Sequence, residues 1–151
     1  MQLPVLKEIT YARIKSAKYL IDRKDWQGSA QMMGLALECA LKACICRSLR
    51  IPSYPETHKD KQVPSFFMTH RFDRLLLLSG LSDIFNASGL NPTSFRNWGD
   101  FTIYFQGDWI EMRYDPPSKC PFDEPTTKNL YQYIYRDKNS IIKTISNKKR
   151  W

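Results

Sequence analysis

Histidine is rare in this chain of 151 residues, which contains only His58 and His70. Most nucleophilic triads and many proton-transfer sites place a histidine beside a serine, a cysteine or a carboxylate. No Ser/His/Asp or Cys/His triad can be assembled from these two residues. We therefore assign no catalytic residue from the sequence.

Cysteine pairs and phosphate-binding loops are also missing. The four cysteines include no CxxC motif, and Cys44 and Cys46 point about 200° apart on a helix, which is poor geometry for a shared disulfide or metal ion. We interpret the cysteines as small buried side chains in a reducing compartment and predict no metal site. Neither G-x-x-x-x-G-K-[ST] nor G-x-G-x-x-G occurs, and no cofactor is predicted.

The chain has no stretch of roughly 18 consecutive apolar residues, the length that a membrane-spanning helix needs. Its first residues, MQLPVLKEITYARIK, lack the basic, apolar and small-residue regions of a secretion signal. These absences predict a cytoplasmic protein with no membrane partner.

Positive charge is plentiful. The formal net charge is +8, and the cations are scattered apart from a basic end at 148–150. Such a charge permits an anionic partner such as RNA, DNA or a nucleotide phosphate, but a solvated tail also accounts for the basic end.

Two long helices are predicted in the first third of the chain, at 4–23 and 26–49, with Asp25 as the N-cap of the second. The second is apolar almost all round, which is typical of a central, buried helix. For the first helix, the spacing predicts a buried face formed by Val5, Ile9, Ala12, Ser16, Tyr19 and Leu20.

The remaining helices are separated by two long loops. A proline-containing loop is predicted at about 50–69 and a proline-rich loop at about 107–124. The sequence predicts further helical segments at 70–79 with Gly80 as the C-cap, at 82–87, at 92–106 after Asn91, and at 125–147. The predicted fold is one all-α domain spanning 1–151, an up-and-down bundle of about five helices.

Two charged residues interrupt the apolar segment GLALECALKACICRSL. Glu38 and Lys42 lie four residues apart, one turn apart on a helix, in the favourable order for an ion pair. They either form a solvated stripe beside the core or line a covered polar seam. Because this helix is apolar nearly all round, we expect the covered seam, which requires that the charges be matched.

Several motifs resemble the HEPN family (higher eukaryote and prokaryote nucleotide-binding domains). The family pattern A-x-x-A-x-E-x-A-L-K-A resembles MGLALECALKACI here, which contains Glu38 and Lys42. The family motif His-x-Leu-x-x-Leu resembles HRFDRLLLL, although Phe72 replaces the first leucine. The Arg-Tyr pair that some members carry before the last long helix corresponds to Arg113 and Tyr114. The resemblance implies the five-helix bundle over roughly residues 5–147.

One departure from the family concerns catalysis. HEPN ribonucleases carry an arginine, four to six residues and then a histidine near the last long helix. No histidine follows His70 in this chain, so Arg113 has no such partner, and seven residues separate Arg50 from His58. The sequence therefore lacks the general acid/base of the catalytic branch.

These observations favour a non-catalytic HEPN-type module that binds a nucleotide, RNA or a protein partner. The resemblance implies that this partner is a minimal nucleotidyltransferase, in a toxin–antitoxin-like context. The predicted ligand-binding residues are Glu38, Lys42, Arg113 and Tyr114, which we expect to share one polar groove. Two alternatives stay open, namely a divergent ribonuclease that uses Arg113 and a dimeric helical scaffold without a ligand.

We also predict a homodimer, by analogy with the family and because an almost wholly apolar second helix is hard to cover with few other helices. Light scattering at micromolar concentration should give twice the monomer mass. A monomer mass would contradict the prediction.

Overall fold

The computed structural model describes residues 1–55, 67–86, 98–99, 101–105, 109–147 and 151. Within these residues the chain forms α-helices and no strand, apart from one isolated bridge between Gln2 and Ser53. The α-helices are α1 Leu3–Asp22, α2 Trp26–Leu49, α3 Phe72–Ser79, α4 Ser82–Asn86, α5 Glu124–Tyr131 and α6 Ile141–Asn147. The predicted all-α class is confirmed for this part of the chain.

Helices α1 and α2 form an antiparallel hairpin. The Ser29 hydroxyl donates to the Ala17 carbonyl at 3.0 Å, and the Thr10 hydroxyl lies 3.4 Å from the Ala36 carbonyl. The later residue of α2, Ala36, thus meets the earlier residue of α1, Thr10, so the two helices run in opposite directions. The connection between α1 and α2 is short. Asp25 caps the start of α2 as predicted, because its carboxylate accepts from the Gly28 amide at 2.9 Å.

The buried face of α1 was predicted wrongly. The buried residues are Leu6, Thr10, Ile14, Ala17 and Ile21, so the buried face is rotated by about one residue from the predicted one. One residue corresponds to about 100° of rotation around the helix. Thr10 explains the error, because its hydroxyl donates to the Leu6 carbonyl at 2.9 Å and so can be buried without an unsatisfied group. Tyr19, which we predicted to be buried, is 56% exposed.

Helix α2 is the centre of the fold, as predicted. Its side chains from Ser29 to Cys46 are mostly buried, and it packs against α1, α3, α5 and α6. The rest of the same chain covers it, so its burial does not require a partner. The homodimer stays a prediction that rests on the family resemblance.

An aromatic cluster joins α3 to the segments that follow it. The Phe72 ring stacks on Trp109 with 5.4 Å between centroids and meets Phe101 edge-on at 5.1 Å. Phe105 stacks on Phe101 at 4.4 Å. Trp109 begins a 3₁₀ turn, Trp109–Tyr114, and its ring packs against Gly34 of α2. The cluster thus fixes α3 and this turn on one side of α2.

The predicted helix at 125–147 is broken in the structure. Helix α5 begins where expected, with the Asp123 carboxylate accepting from the Thr126 amide at 2.9 Å. Hydrogen bonding from the Thr126 side chain, and then from its amide, lowers the pKa of Asp123. A π-helical turn, Gln132–Arg136, follows, and the backbone then becomes extended at Asp137. The Ser140 hydroxyl donates to the Tyr135 carbonyl at 2.9 Å. The turn-forming residues Asp137, Asn139 and Ser140 thus outweigh the regular spacing of the isoleucines.

Other predicted segments are described only in part. The short helix α3 ends at Gly80, which adopts the left-handed conformation with φ of 69°, as predicted for a C-cap. The described part of the proline-rich loop, 109–123, contains two 3₁₀ turns, Trp109–Tyr114 and Pro117–Lys119. Residues 98–99 and 101–102 of the predicted helix 92–106 are helical. His58, Asn91 and the basic end at 148–150 lie outside the described residues.

In the described part of the chain, no helix combines the length and the apolar character that crossing a membrane requires.

Replacement of Gly34 by alanine should destabilise the protein. A Cβ atom at this position would lie 2.6 Å from the Trp109 ring, which is itself buried and stacked on Phe72. We expect Gly34→Ala to lower the free energy of unfolding by about 1–3 kcal/mol, measured from the urea midpoint. Gly99→Ala is the matched control, because a Cβ atom there meets no atom of the described residues within 4 Å. A Gly34→Ala midpoint at or above that of wild type would contradict the close contact.

Candidate polar site around Glu38, Lys42 and His70

Glu38 and Lys42 form a buried ion pair in the middle of α2. The Lys42 ammonium lies 2.8 Å from Oε1 of Glu38, and the two side chains are only 11% and 6% exposed, respectively. The covered seam is therefore the correct alternative for these two residues, and the solvated stripe is not.

His70 provides the second partner of the Glu38 carboxylate. Its Nδ1 atom lies 3.0 Å from both carboxylate oxygens. Because an ionised carboxylate can only accept hydrogen bonds, this geometry assigns a proton to Nδ1. The His70 side chain is 46% exposed, so part of the imidazole ring is open to solvent. Glu38 thus orients the imidazole.

Backbone and aromatic contacts hold the surrounding residues in place. The indole N–H of Trp109 donates to the His70 carbonyl at 2.8 Å, so the aromatic cluster fixes the backbone just before α3. The Tyr54 hydroxyl donates to the Phe67 carbonyl at 2.6 Å. The Lys42 ammonium lies 4.9 Å from the centroid of the Tyr54 ring, within the range of a cation–π contact.

A cavity of about 410 Å³ opens beside these residues, and we call it the Lys42 cavity. Its volume falls in the range of roughly 300–1,000 Å³ that is usual for small-ligand sites. Its lining consists of Lys42, Tyr54, Pro55, Phe67, Met68, Thr69 and His70. The lining thus combines one ammonium group, one imidazole and two aromatic rings.

Arg113 and Tyr114 lie elsewhere, so the predicted groove shared by all four residues is not formed. The Gln27 side chain donates to the carbonyls of Met112 and Asp115 at 3.1 and 3.2 Å, which holds this segment near the start of α2. Gln27 precedes Glu38 by eleven residues, about 16 Å along a helix.

The Arg113 guanidinium stacks over Tyr114 at 4.7 Å, and Tyr114 is 75% exposed. The Trp109–Tyr114 turn extends along α2 toward the start of that helix. Arg113 and Tyr114 therefore do not lie beside Glu38, where they were predicted.

Two residues of the site were not predicted as site residues. His70 was predicted only as the first residue of the helix at 70–79, although a buried glutamate needs more than one partner and His70 is one of only two histidines. Tyr54 lies in a proline-containing segment without periodicity, so no pattern in the sequence indicated its position.

The arrangement has no evident place for a metal ion. Among the residues that the structure describes, no three side chains of histidine, cysteine, aspartate or glutamate come together in a way that could hold one. The polar chemistry of this site is hydrogen bonding and charge pairing.

Comparison with known proteins gives no relative: no protein-family model matches the chain, and no curated protein or solved structure matches it significantly.

Loss of the Glu38 carboxylate should be costly. Glu38→Ala leaves the Lys42 ammonium buried without its counter-charge, and we expect the free energy of unfolding to fall by about 3–5 kcal/mol in urea titrations. Glu124→Ala is the matched control, because Glu124 pairs with Lys128 at the same spacing on α5 but in the solvent. We expect that control to change the midpoint little. Equal, small shifts for both variants would show that burial of the pair contributes nothing.

Proposed function

We propose that the protein is a non-catalytic helical module of the HEPN type that binds a nucleotide in the Lys42 cavity. One observation carries this proposal: a buried lysine, fixed by Glu38 and by an aromatic ring, forms part of the wall of a cavity of about 410 Å³. The family resemblance of the α2 motif supports the same function independently, because Glu38 and Lys42 belong to that motif.

Stability alone is a weak reason to keep this ion pair. Removing two charges from water costs several kcal/mol per ion, and well-packed apolar residues of the same volume would often serve the fold equally well. A lysine ammonium has three N–H donors. Glu38 accepts from one, and the Tyr54 ring faces the ammonium, which leaves capacity for a ligand oxygen.

The chemistry of the lining fits a nucleotide. The Lys42 ammonium and the His70 ring can contact phosphate oxygens, while Phe67, whose ring meets that of the buried Tyr54 edge-on at 6.2 Å, offers apolar surface to a base. The net charge of +8 favours the approach of any anionic ligand.

A second candidate function is a divergent ribonuclease, and one observation favours it. Glu38 holds Nδ1 of His70 at 3.0 Å and the His70 side chain is 46% exposed, which is how a carboxylate orients a general base that a substrate can reach. In such a ribonuclease His70 takes the catalytic role that was predicted for Arg113, because Arg113 lies near Gln27 and away from the cavity.

Calorimetric titration with adenosine mono-, di- and triphosphate tests nucleotide binding. The double variant Glu38→Gln/Lys42→Met removes both charges together, so no buried charge is left unpaired. We expect its affinity to fall by about 10- to 100-fold, the equivalent of one charge-assisted hydrogen bond. Glu124→Gln/Lys128→Met, which alters the exposed pair on α5, should bind like wild type.

Absence of binding to all three nucleotides would contradict the proposal, as would an equal loss in both double variants. Incubation with RNA decides between the two candidates. Intact RNA supports the non-catalytic module, whereas cleavage that is abolished by His70→Ala supports the ribonuclease.

A further inference from the structure

The outer face of α1 carries exposed aromatic rings that belong to no site described so far. Tyr11 and Tyr19 are 44% and 56% exposed. Together with Tyr131 and Tyr135 they line a groove of about 440 Å³ between α1 and the C-terminal segment, which we call the tyrosine groove. Four tyrosines around one surface groove are more than the burial of the core requires.

Cations alternate with these rings. Lys15 and Lys18 line the groove between the two tyrosines of α1. The Arg23 guanidinium lies 4.5 Å from the centroid of the Tyr19 ring, and the Lys143 ammonium lies 5.6 Å from that of Tyr135.

Among the described residues that line the groove, Asp22 is the one that carries a carboxylate, and this carboxylate is paired with Lys18. The surface is therefore both aromatic and positive.

This charge pattern argues against a second copy of the chain as the occupant. In a two-fold symmetric dimer the same patch meets itself, so Lys15 and Arg23 would face their own equivalents or near neighbours. Like charges brought together in this way are unfavourable. An anionic partner with flat apolar groups matches the groove better, because it can neutralise the lysines and cover the rings at once.

We infer that the tyrosine groove binds single-stranded nucleic acid, with bases stacked on Tyr11 and Tyr19 and phosphates beside Lys15 and Lys18. Stacking on aromatic side chains within a positive groove is the general way in which single strands are bound without sequence preference. A duplex keeps its bases stacked inside, so it cannot offer them to the tyrosine rings.

The dimensions of the groove agree with a short strand. Tyr11 and Tyr19 are eight residues apart, about 12 Å along the helix. At about 3.4 Å per stacked nucleotide this distance spans three to four nucleotides. The Trp151 ring meets Tyr11 edge-on at 5.7 Å and extends the aromatic surface at one end.

The inference does not rest on nucleotide binding at the Lys42 cavity. Lys42 is buried on α2, whereas the tyrosine groove uses the outer face of α1. The variant Glu38→Gln/Lys42→Met should therefore bind an oligonucleotide like wild type, and either proposal can fail without the other.

Fluorescence anisotropy with labelled oligothymidine of about 15 nucleotides tests the inference at about 50 mM salt. Each of Tyr11→Ala and Tyr19→Ala should weaken binding by about fivefold or more, the loss expected for one stacked base. Tyr19→Phe keeps the ring and should bind like wild type. Tyr114→Ala is the matched control, because Tyr114 is also exposed beside an arginine but lies outside the groove.

Lys15 should contribute to the salt dependence of oligonucleotide binding. Replacing Lys15 with glutamine should make the slope of log affinity against log salt shallower by about 0.7, the contribution of one neutralised phosphate of a single strand, because Lys15, unlike Lys18, is not the partner of Asp22. Duplex DNA of the same length should bind more weakly and should not respond to Tyr19→Ala.

Circular dichroism should show unchanged folding of the tyrosine variants, because both side chains are substantially exposed. The inference is overturned if oligothymidine does not bind, if Tyr114→Ala weakens binding as much as Tyr19→Ala, or if an acidic peptide competes as well as the oligonucleotide.

Discussion

The Glu38 carboxylate sets the constraint on which the rest of the described structure depends. It accepts from Lys42 within α2 and from His70 at the start of α3, and it is almost completely buried. Since a buried carboxylate without partners costs several kcal/mol, the fold must bring both partners to it. His70 is held in turn by Trp109, whose ring fits against α2 only because residue 34 is a glycine. The ion pair, the aromatic cluster and the close approach to α2 therefore stabilise one another.

The fold could be predicted from the sequence only where helix caps and the spacing of apolar residues indicated it. The bounds of α2 were predicted correctly because Asp25 is an N-cap and the helical spacing of apolar residues continues to Leu49. The face of α1 was misplaced because a buried threonine that bonds to its own helix looks polar in the sequence. The break at Asp137 was missed because the isoleucine spacing suggested a continuous helix, although the turn residues were visible in the sequence.

In the polar site, too, contacts between residues close in sequence could be predicted, whereas contacts between distant residues could not. Glu38 and Lys42 are four residues apart, so their pairing could be predicted from helix geometry alone. His70 is 32 residues from Glu38, and its position depends on the packing of Trp109, which no local pattern specifies. Arg113 and Tyr114 were predicted beside Glu38 from an assumed bundle topology, whereas Gln27 holds their segment near the start of α2. Residues brought together by tertiary packing alone could not be found from one sequence.

The short connection between α1 and α2 has a consequence for the order of folding. The contacts of this hairpin join residues close in sequence, and such contacts form early because little loop entropy is lost. His70 and Trp109 reach α2 only after much longer loops have closed. A hairpin that forms first leaves Glu38 and Lys42 in water, and the pair loses its solvent only when α3 and Trp109 dock. We therefore expect the polar site to lose its water only after the hairpin has formed, and to be wetted again when α3 opens locally.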